Sequence, residues 1–279
     1  MTDAFVNQWR VTEYVFDADG TPIGVIRQQR HIERLDNGNL RVTQICTPDL
    51  TVPNHPMHEF AGEWVFVISV DGHQRRYLGP DVVGNGWAWG KDCITGRGIW
   101  PRFGHNFTSY GVMLSPTRQI TGGQFFNVNQ LVATIIGVAE NTVEERYPTL
   151  VMDEAPHELS EIWKGTSDIY DQNGELLDES VFERHFRCDS YSDEWNGGDG
   201  FHIDLKPANG RDLVHGLMTG VSQKIGCARF INCWDYEWDT DAMNQILHLL
   251  DVESRQLVSI GYSYNGLNVN GMQVQKLST

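Results

Sequence analysis

Basic residues are scarce in this sequence, and their scarcity excludes several kinds of partner. The 279 residues include 21 Lys and Arg against 37 Asp and Glu, which gives a formal net charge of −16. A surface of this charge repels phosphate backbones and anionic lipid headgroups. No apolar run approaches the roughly 18 residues that a membrane-spanning helix needs. We therefore expect neither nucleic acid nor a membrane as a partner.

Cysteine is sparse too, and its five copies form no recognisable pattern. Their number is odd, they are scattered, and none has Cys-x-x-Cys spacing: Cys46, Cys93, Cys188, Cys227 and Cys233. This usage is typical of reduced thiols rather than of a disulfide framework or a zinc site. The first five residues also lack the basic and apolar regions of a secretory signal. We therefore predict a cytoplasmic protein without a bound metal.

The familiar signatures of catalysis are missing as well. The sequence has no Gly-x-Ser-x-Gly elbow, no phosphate-binding loop, no dinucleotide-binding glycine pattern and no His-Glu-x-x-His. Nucleotide-driven chemistry and elbow-type hydrolysis are therefore not expected, and no cofactor is predicted.

Aromatic residues and glycine, in contrast, are abundant. The chain holds nine Trp, nine Tyr, twelve Phe and 28 Gly, together with many short runs in which apolar and polar residues alternate. Seven Asn-Gly or Asp-Gly pairs separate such runs, and these pairs suit the tight turns of β-hairpins. The pattern predicts an all-β protein built from antiparallel strands.

An internal repeat is the most informative feature of the sequence. Residues 9–32 match residues 163–186 at a constant offset of 154, which aligns Trp9 with Trp163 and brings Trp, Thr, Asp, Gly, Arg and His into coincidence. The alternative interpretation is that two β-rich segments merely share the same turn residues. We favour a duplication, because residue types are also kept outside the turn.

A second match lies near the end of each copy, where Arg118 corresponds to Arg255. Together the two matches predict a first module at residues 1–139, an acidic linker at 140–157 and a second, shorter module at 158–279. The length difference between the modules falls in the part of the first that contains residues 47–60.

Each module opens with a Trp and carries an Arg near its closing hairpin, and this pattern resembles the calycin superfamily of lipocalin-like antiparallel barrels. The resemblance implies two tandem barrels, with a β-sandwich as the alternative. It also implies that Arg118 and Arg255 stack on Trp9 and Trp163 to close one end of each barrel. Calycins bind small hydrophobic molecules and some are enzymes, so the resemblance implies a ligand pocket.

The catalytic candidates lie mainly in the segment that the second module lacks. His55, His58 and Glu59 bring imidazoles and a carboxylate together near two prolines, in a loop that could let them converge. Tyr77 and His105 are candidate supporting donors. The alternative for the loop is a polar turn with incidental histidines. We predict that His55 or His58 forms the mouth or wall of a pocket.

The ligand-binding candidates are aromatic: Trp64, Trp87, Trp89, Trp100 and Phe103. Trp87 and Trp89 are two residues apart, so both face the same side of a strand. On the inner side they would line a cavity that suits an aromatic molecule. The alternative is that these residues are ordinary core.

These observations lead to one functional hypothesis and two alternatives. The first is an enzyme that converts a small hydrophobic or aromatic metabolite by cofactor-independent acid–base chemistry, as an isomerase, lyase or cyclase. The second is a non-catalytic carrier of such a molecule, and the third is an interaction protein with filled barrels. Polar groups that converge in an apolar pocket would favour the enzyme. The sequence defines neither the substrate nor the oligomeric state.

Overall fold

The structure is a computed structural model, and it describes residues 4–142, 145–154, 162–187, 190–195, 201–208, 211–216, 218–235, 242–265 and 268–279. Within these ranges the regular structure is β throughout, except for a short 3₁₀ segment at Pro56–Phe60. The expected all-β class is therefore confirmed. None of the described residues forms a helix that is long and apolar enough to cross a membrane.

The first barrel is a closed antiparallel sheet of consecutive strands. Its strands are β1 (Gln8–Phe16), β2 (Pro22–Arg34), β3 (Leu40–Leu50), β4 (Gly62–Asp71), β5 (Gln74–Pro80), β6 (Val83–Trp89), β7 (Cys93–Trp100), β8 (His105–Ser115), β9 (Arg118–Asn127) and β10 (Gln130–Glu140). Each strand pairs with the next along the chain, and β1 closes the sheet by pairing with β10, from Arg10 opposite Glu140 to Phe16 opposite Thr134.

The second sheet repeats this order within the described residues. Its strands are β11 (Ile162–Asp171), β12 (Leu176–Arg187), β13 (Ser190–Trp195), β14 (Phe201–Ala208), β15 (Arg211–Gly216), β16 (Met218–Ile225), β17 (Ala228–Asp235), β18 (Ala242–Asp251), β19 (Gln256–Asn265) and β20 (Asn268–Ser278). β11 pairs with β12 on one side and with β20 on the other, so this sheet also closes on itself.

The chain divides into two compact units, Met1–Thr149 and Leu150–Thr279. The division falls within the predicted linker 140–157. The predicted start of the second module, residue 158, lies outside the described residues.

The repeated hairpins of the two sheets have the same register. Trp9 pairs with Arg30 in β1–β2, and Trp163 pairs with Arg184 in β11–β12. Both hairpins are irregular at the same place, just before the turn. The two turns also share their hydrogen bonds, since the Asp17 carboxylate accepts from the backbone of residues 19 and 21 as the Asp171 carboxylate does from residues 173 and 175. The matched sequence thus folds in the same way twice.

Both repeat tryptophans are core residues. Trp9 is 2% exposed and Trp163 is 1% exposed. The Trp9 Nε1 donates a hydrogen bond to the Phe5 carbonyl at 2.9 Å. The Arg118 guanidinium forms an ion pair with Glu140, and the Arg255 Nε donates to the Thr279 hydroxyl. 

Candidate functional site

The interior of the first barrel contains a cavity of about 150 Å³. Most of its wall is apolar or aromatic, and polar side chains reach it from three sides of the barrel. The apolar wall includes Ile32, Val42, Phe60, Phe66, Trp100, Phe107, Phe125 and Ile135, and the polar wall includes Glu13, Gln28, Arg30, Gln44, Tyr77, Ser109, Gln119 and Thr121. An apolar cavity with a few convergent polar groups is the usual form of a small-molecule site.

Glycines at two positions of the barrel wall leave room around the Glu13 side chain and the cavity. Gly137 pairs directly with Glu13, and a Cβ at this glycine would lie 2.9 Å from the Glu13 Cγ. Gly111 pairs with Thr121 on the same level of the wall, and a Cβ there would meet Ile94 at 3.2 Å. Glycine at position 137 therefore leaves room for the Glu13 side chain, and Gly111 itself lines the cavity.

A hydrogen-bonded cluster holds Glu13 on the cavity wall. The Gln28 Nε2 donates to one oxygen of Glu13 at 2.5 Å, and Arg30 Nη2 lies 3.4 Å from the other oxygen. Arg30 Nη2 also donates to the Gln28 Oε1 at 2.9 Å. Glu13 and Gln28 are 7% and 1% exposed, so the carboxyl group has little contact with solvent.

Burial dominates the electrostatics of this cluster. Loss of solvent raises the pKa of Glu13 above its usual value, although the Arg30 charge and the hydrogen bonds from Gln28 and Arg30 act in the opposite direction. Burial also raises the pKa of the Cys46 thiol, and the negative charge of Glu13 adds to this effect. The thiol therefore stays protonated at neutral pH.

Tyr77 lies on another part of the wall and is hydrogen-bonded to Ser109. Its hydroxyl passes over two glycines of the intervening strands, and a Cβ at Gly86 would approach that hydroxyl to 2.9 Å. A Cβ at Gly96 would come even closer to the same hydroxyl, so neither position tolerates a side chain while Tyr77 holds this place. Burial raises the pKa of Tyr77 to about 12, which keeps the phenol protonated at neutral pH. Tyr77 was predicted as a supporting donor, and the structure places it on the cavity wall.

A smaller cavity of about 60 Å³ adjoins the first toward the end of the barrel where β1 begins. The two cavities share Phe5, Ile32, Ile68, Tyr77, Ile94 and Thr95. Arg75 and Lys91 are the charged residues of the smaller one. Phe5 is 8% exposed, so the chain segment before β1 contributes a core side chain at this end.

The other end of the barrel is filled by an aromatic cluster that includes several predicted ligand-binding residues. Phe60 stacks on Trp64 at 5.0 Å and meets Trp100 edge-on at 4.9 Å. Trp100 lines the cavity, whereas Trp64 and Phe103 pack behind it and are absent from the described lining. The Arg102 guanidinium lies 3.7 Å from the centre of the Trp64 ring and covers it.

The predicted histidines lie outside both cavities, which corrects their expected place on a pocket wall. In the 3₁₀ segment, Met57 and Phe60 are the buried residues, so the short turn leaves His55, His58 and Glu59 on its other side. His55 Nδ1 accepts from the Met57 backbone at 3.3 Å and caps the segment. His58 Nε2 lies 3.0 Å from the Val52 carbonyl. Partial burial lowers the pKa of His55.

Three other predicted residues are also absent from the lining of the two cavities. Trp87 is half-buried and lies under Arg97, 5.3 Å from ring centre to guanidinium. Trp89 is buried and donates through Nε1 to the Thr95 hydroxyl at 2.8 Å. His105 stacks on Phe103 at 4.0 Å. Among the described residues, no group of three His, Cys, Asp or Glu side chains is placed to hold a metal ion.

The central residues of the site, Glu13, Gln28 and Arg30, were not predicted as functional. A signal was present in the sequence. Glu13 follows Trp9 by four residues in an alternating strand, so it lies on the same face as a core tryptophan. At the matched position of the second module the sequence has Ser167. A carboxylate on a core face, where the matched segment has a serine, marks Glu13 as a candidate site residue.

Comparisons with known proteins give the fold and no activity. No family model and no curated protein matches the sequence. A crystal structure of a protein of unknown function from the DUF3598 family of Nostoc punctiforme is similar, with a TM-score of 0.64 and 10% identity over 99% of this chain and 96% of that one. A putative outer membrane protein of Bacteroides fragilis aligns over 100% of both chains, but its TM-score of 0.27 and 8% identity support no conclusion.

Proposed function

We propose that the first barrel is a cofactor-independent enzyme that moves a proton on a small, partly apolar molecule. Glu13 is the proposed acid and base of the reaction. The observation that carries this proposal is a nearly buried carboxyl group, hydrogen-bonded to Gln28 and close to Arg30, on the wall of a mostly apolar cavity. Keto–enol isomerisation, elimination of a proton and a leaving group, and acid-catalysed cyclisation all use such a transfer.

The environment of Glu13 suits this role. A general acid or base works best when its pKa lies near the working pH, and burial moves the pKa of Glu13 in that direction. Gln28 and Arg30 hold the carboxyl group in one orientation. Protonated Tyr77 adds a donor that can stabilise negative charge on an oxygen atom of the substrate.

The test is exchange of carbon-bound hydrogen in deuterated water, measured by NMR on a panel of small ketones. Wild-type protein should catalyse exchange next to the carbonyl group, and Glu13→Gln should reduce the rate by about 10²–10⁴-fold while ligand binding remains. Glu33→Gln is the matched control, because the Glu33 side chain is 45% exposed. Equal rates for wild type and Glu13→Gln would remove Glu13 from the mechanism.

A carrier function is the second candidate, and the aromatic wall favours it. Phe60, Phe66, Trp100, Phe107 and Phe125 surround the cavity and would hold an apolar ring without any chemistry. In that case the panel should bind equally well to wild type and Glu13→Gln, with no exchange above the buffer rate in either protein.

We also propose that the two barrels are calycin-like and arose by duplication. The support is the common register of the repeated hairpins, in which Trp9 and Trp163 pair with Arg30 and Arg184. The common strand order of the two closed sheets agrees with it. The catalytic function would then belong to one copy only.

A reducing compartment such as the cytoplasm is the proposed location. Cys46, Cys93 and Cys227 are buried thiols, and none of the three is in a disulfide. Burial raises the pKa of the Cys46 and Cys227 thiols, which keeps them in their unreactive protonated form. Alkylation of the folded protein should therefore leave these two residues unmodified.

A further inference from the structure

Hydrogen-bond donors without a partner stand on the cavity wall. Gln119 is 2% exposed and Trp100 is 6% exposed, and both line the cavity. Neither the Gln119 Nε2 nor the Trp100 Nε1 has an acceptor among the described residues, and the same holds for the Arg30 Nε. Buried polar groups are nearly always paired, because an unpaired one costs about 1–3 kcal/mol. Three such donors around one cavity therefore indicate a ligand that brings acceptors.

The donors lie toward opposite ends of the barrel. Gln119 is the second residue of β9 and Trp100 is the last residue of β7, and these two strands run in the same direction. Trp100 therefore lies toward the end that the aromatic cluster fills. Arg30 pairs with Trp9 near the start of β1, so it lies toward the same end as Gln119. A ligand that meets all three donors needs oxygen atoms at both of its ends.

The volume limits the size of this ligand. A protein cavity of about 150 Å³ accommodates a molecule of roughly the size of benzene, and the cavity measures about 150 Å³. The aromatic rings of Phe60, Phe107 and Phe125 around it suit a flat or ring-shaped body. The cavity therefore has room for a single six-membered ring.

We propose that the ligand is a single-ring compound with carbonyl or enol oxygens on opposite sides of the ring. One oxygen accepts from Trp100 Nε1 and the other from Gln119 Nε2 and Arg30. This inference rests on the proposed function, because it identifies the substrate class of the same cavity. A ring carbonyl also has adjacent C–H groups, and Glu13 would move a proton between such a carbon atom and the carboxyl oxygen.

The experiment compares two ring ketones of similar shape, cyclohexane-1,4-dione and 4-methylcyclohexanone. They differ in that a methyl group replaces the second carbonyl. Affinities are measured by calorimetry on the full chain, and we expect the dione to bind about tenfold more tightly, as one extra hydrogen bond in a buried site allows. If the methyl ketone binds as tightly as the dione, the proposal is wrong, and the donors are satisfied by water instead.

Two variants assign the effect to the named donors. Gln119→Leu and Trp100→Phe each remove one N–H donor and should weaken dione binding about five- to tenfold. The methyl ketone has one carbonyl group and uses the donors at one end only, so at least one of the two variants should bind it nearly as well as wild type does. Gln44→Leu is the control, since Gln44 is a cavity glutamine that is already hydrogen-bonded to Cys46. Equal losses in Gln44→Leu and Gln119→Leu would contradict the assignment. The wild-type comparison stands even if a variant fails to fold.

Binding and exchange separate this inference from the proposed function. Selective binding of the dione without hydrogen exchange would support the ligand class and contradict the catalytic role of Glu13. Exchange on both ketones without selectivity would support the catalytic role and contradict the ligand class. If neither ketone binds, both the ligand class and the catalytic role of Glu13 are contradicted.

Discussion

The two barrels have an arginine at matched strand positions, Arg30 and Arg184, and these arginines have different partners. In the first, Arg30 contacts the Glu13 carboxyl group beside a cavity. In the second, Arg184 donates to the Ser259 hydroxyl at 2.6 Å and to Gln275 at 2.8 Å, with His248 3.2 Å away. The register explains the difference, because the strand positions of Glu13, Gly137 and Gly111 are occupied there by Ser167, Gln275 and His248.

The two barrels thus place the larger side chain on opposite members of the same strand pair. The first barrel places a large side chain on β1 and a glycine opposite it on β10, whereas the second places a serine on β11 and a glutamine opposite it on β20. Phe182, which stands where the first barrel has Gln28, and Phe186 bring their rings to within 5.5 and 5.9 Å of the Arg184 guanidinium. The comparison teaches that the arginine position is common to both barrels, whereas the carboxyl group and its facing glycine belong to the first and are replaced by a serine and a glutamine in the second.

The largest expected effect is the loss of stability when the buried tryptophan at the matched position of either barrel is removed. Trp9→Ala and Trp163→Ala should each destabilise the protein by about 3–5 kcal/mol, because each removes a fully buried indole. Denaturant unfolding measures both free energies. Trp87→Ala is the control, since Trp87 is only half-buried, and it should cost less. A cost below about 1 kcal/mol at either repeat position would break the equivalence of the two barrels.

The second prediction replaces interior residues of the first barrel with those at the matched positions of the second. Gly137→Gln should cost about 1–3 kcal/mol, because the new side chain overlaps Glu13, and it should abolish ketone binding. Adding Glu13→Ser reproduces the pair Ser167 and Gln275 and should recover most of the stability without recovering binding. Thermal unfolding and calorimetry on the single and double variants measure this coupling. Additive losses in the double variant would show that the two positions do not share space.

The smallest expected effect is the pH dependence that Glu13 gives to the free energy of unfolding. The folded-state pKa of Glu13 is raised, so the folded protein holds this proton more tightly than the unfolded chain does. As pH rises from about 4.5 through the raised pKa, the free energy of unfolding of wild type should fall relative to Glu13→Gln. Melting temperatures of the two proteins across this range test the sign. Ser167→Ala, the counterpart in the second barrel, should show no such trend relative to wild type, and a rising difference for Glu13 would contradict the burial argument.

The like fold of the two matched hairpins could be predicted from the sequence because the match is local. Trp, Thr, Asp and Gly recur within one hairpin, and the turn chemistry of Asp17 and Asp171 determines the register of the strands on either side. Tyr77 and Trp100 were also identified as site residues, and both line the cavity.

The rest of the site depends on contacts between strands that are distant in the chain. Glu13 faces Gly137 and lies near Thr121, and no local pattern relates these residues. His55 and His58 were predicted as site residues from their residue type alone. Met57 and Phe60 are the buried residues of this turn, and their burial determines which side of the turn faces the barrel. Burial of the apolar side chains is more favourable than burial of the imidazoles, so the histidines lie outside the barrel interior.

Closure of the first barrel has a consequence for how the chain folds. β1 meets its second partner only when β10 arrives, since Arg10 pairs with Glu140 across 130 residues. Contacts of such long sequence separation form slowly, because the entropy of the intervening chain must be lost first. During synthesis the N-terminal strands emerge early, and one edge of β1 stays unpaired until β10 has been made. An unpaired edge is a place where strands of other chains can add, so the nascent chain is most vulnerable to aggregation in the interval before the tenth strand.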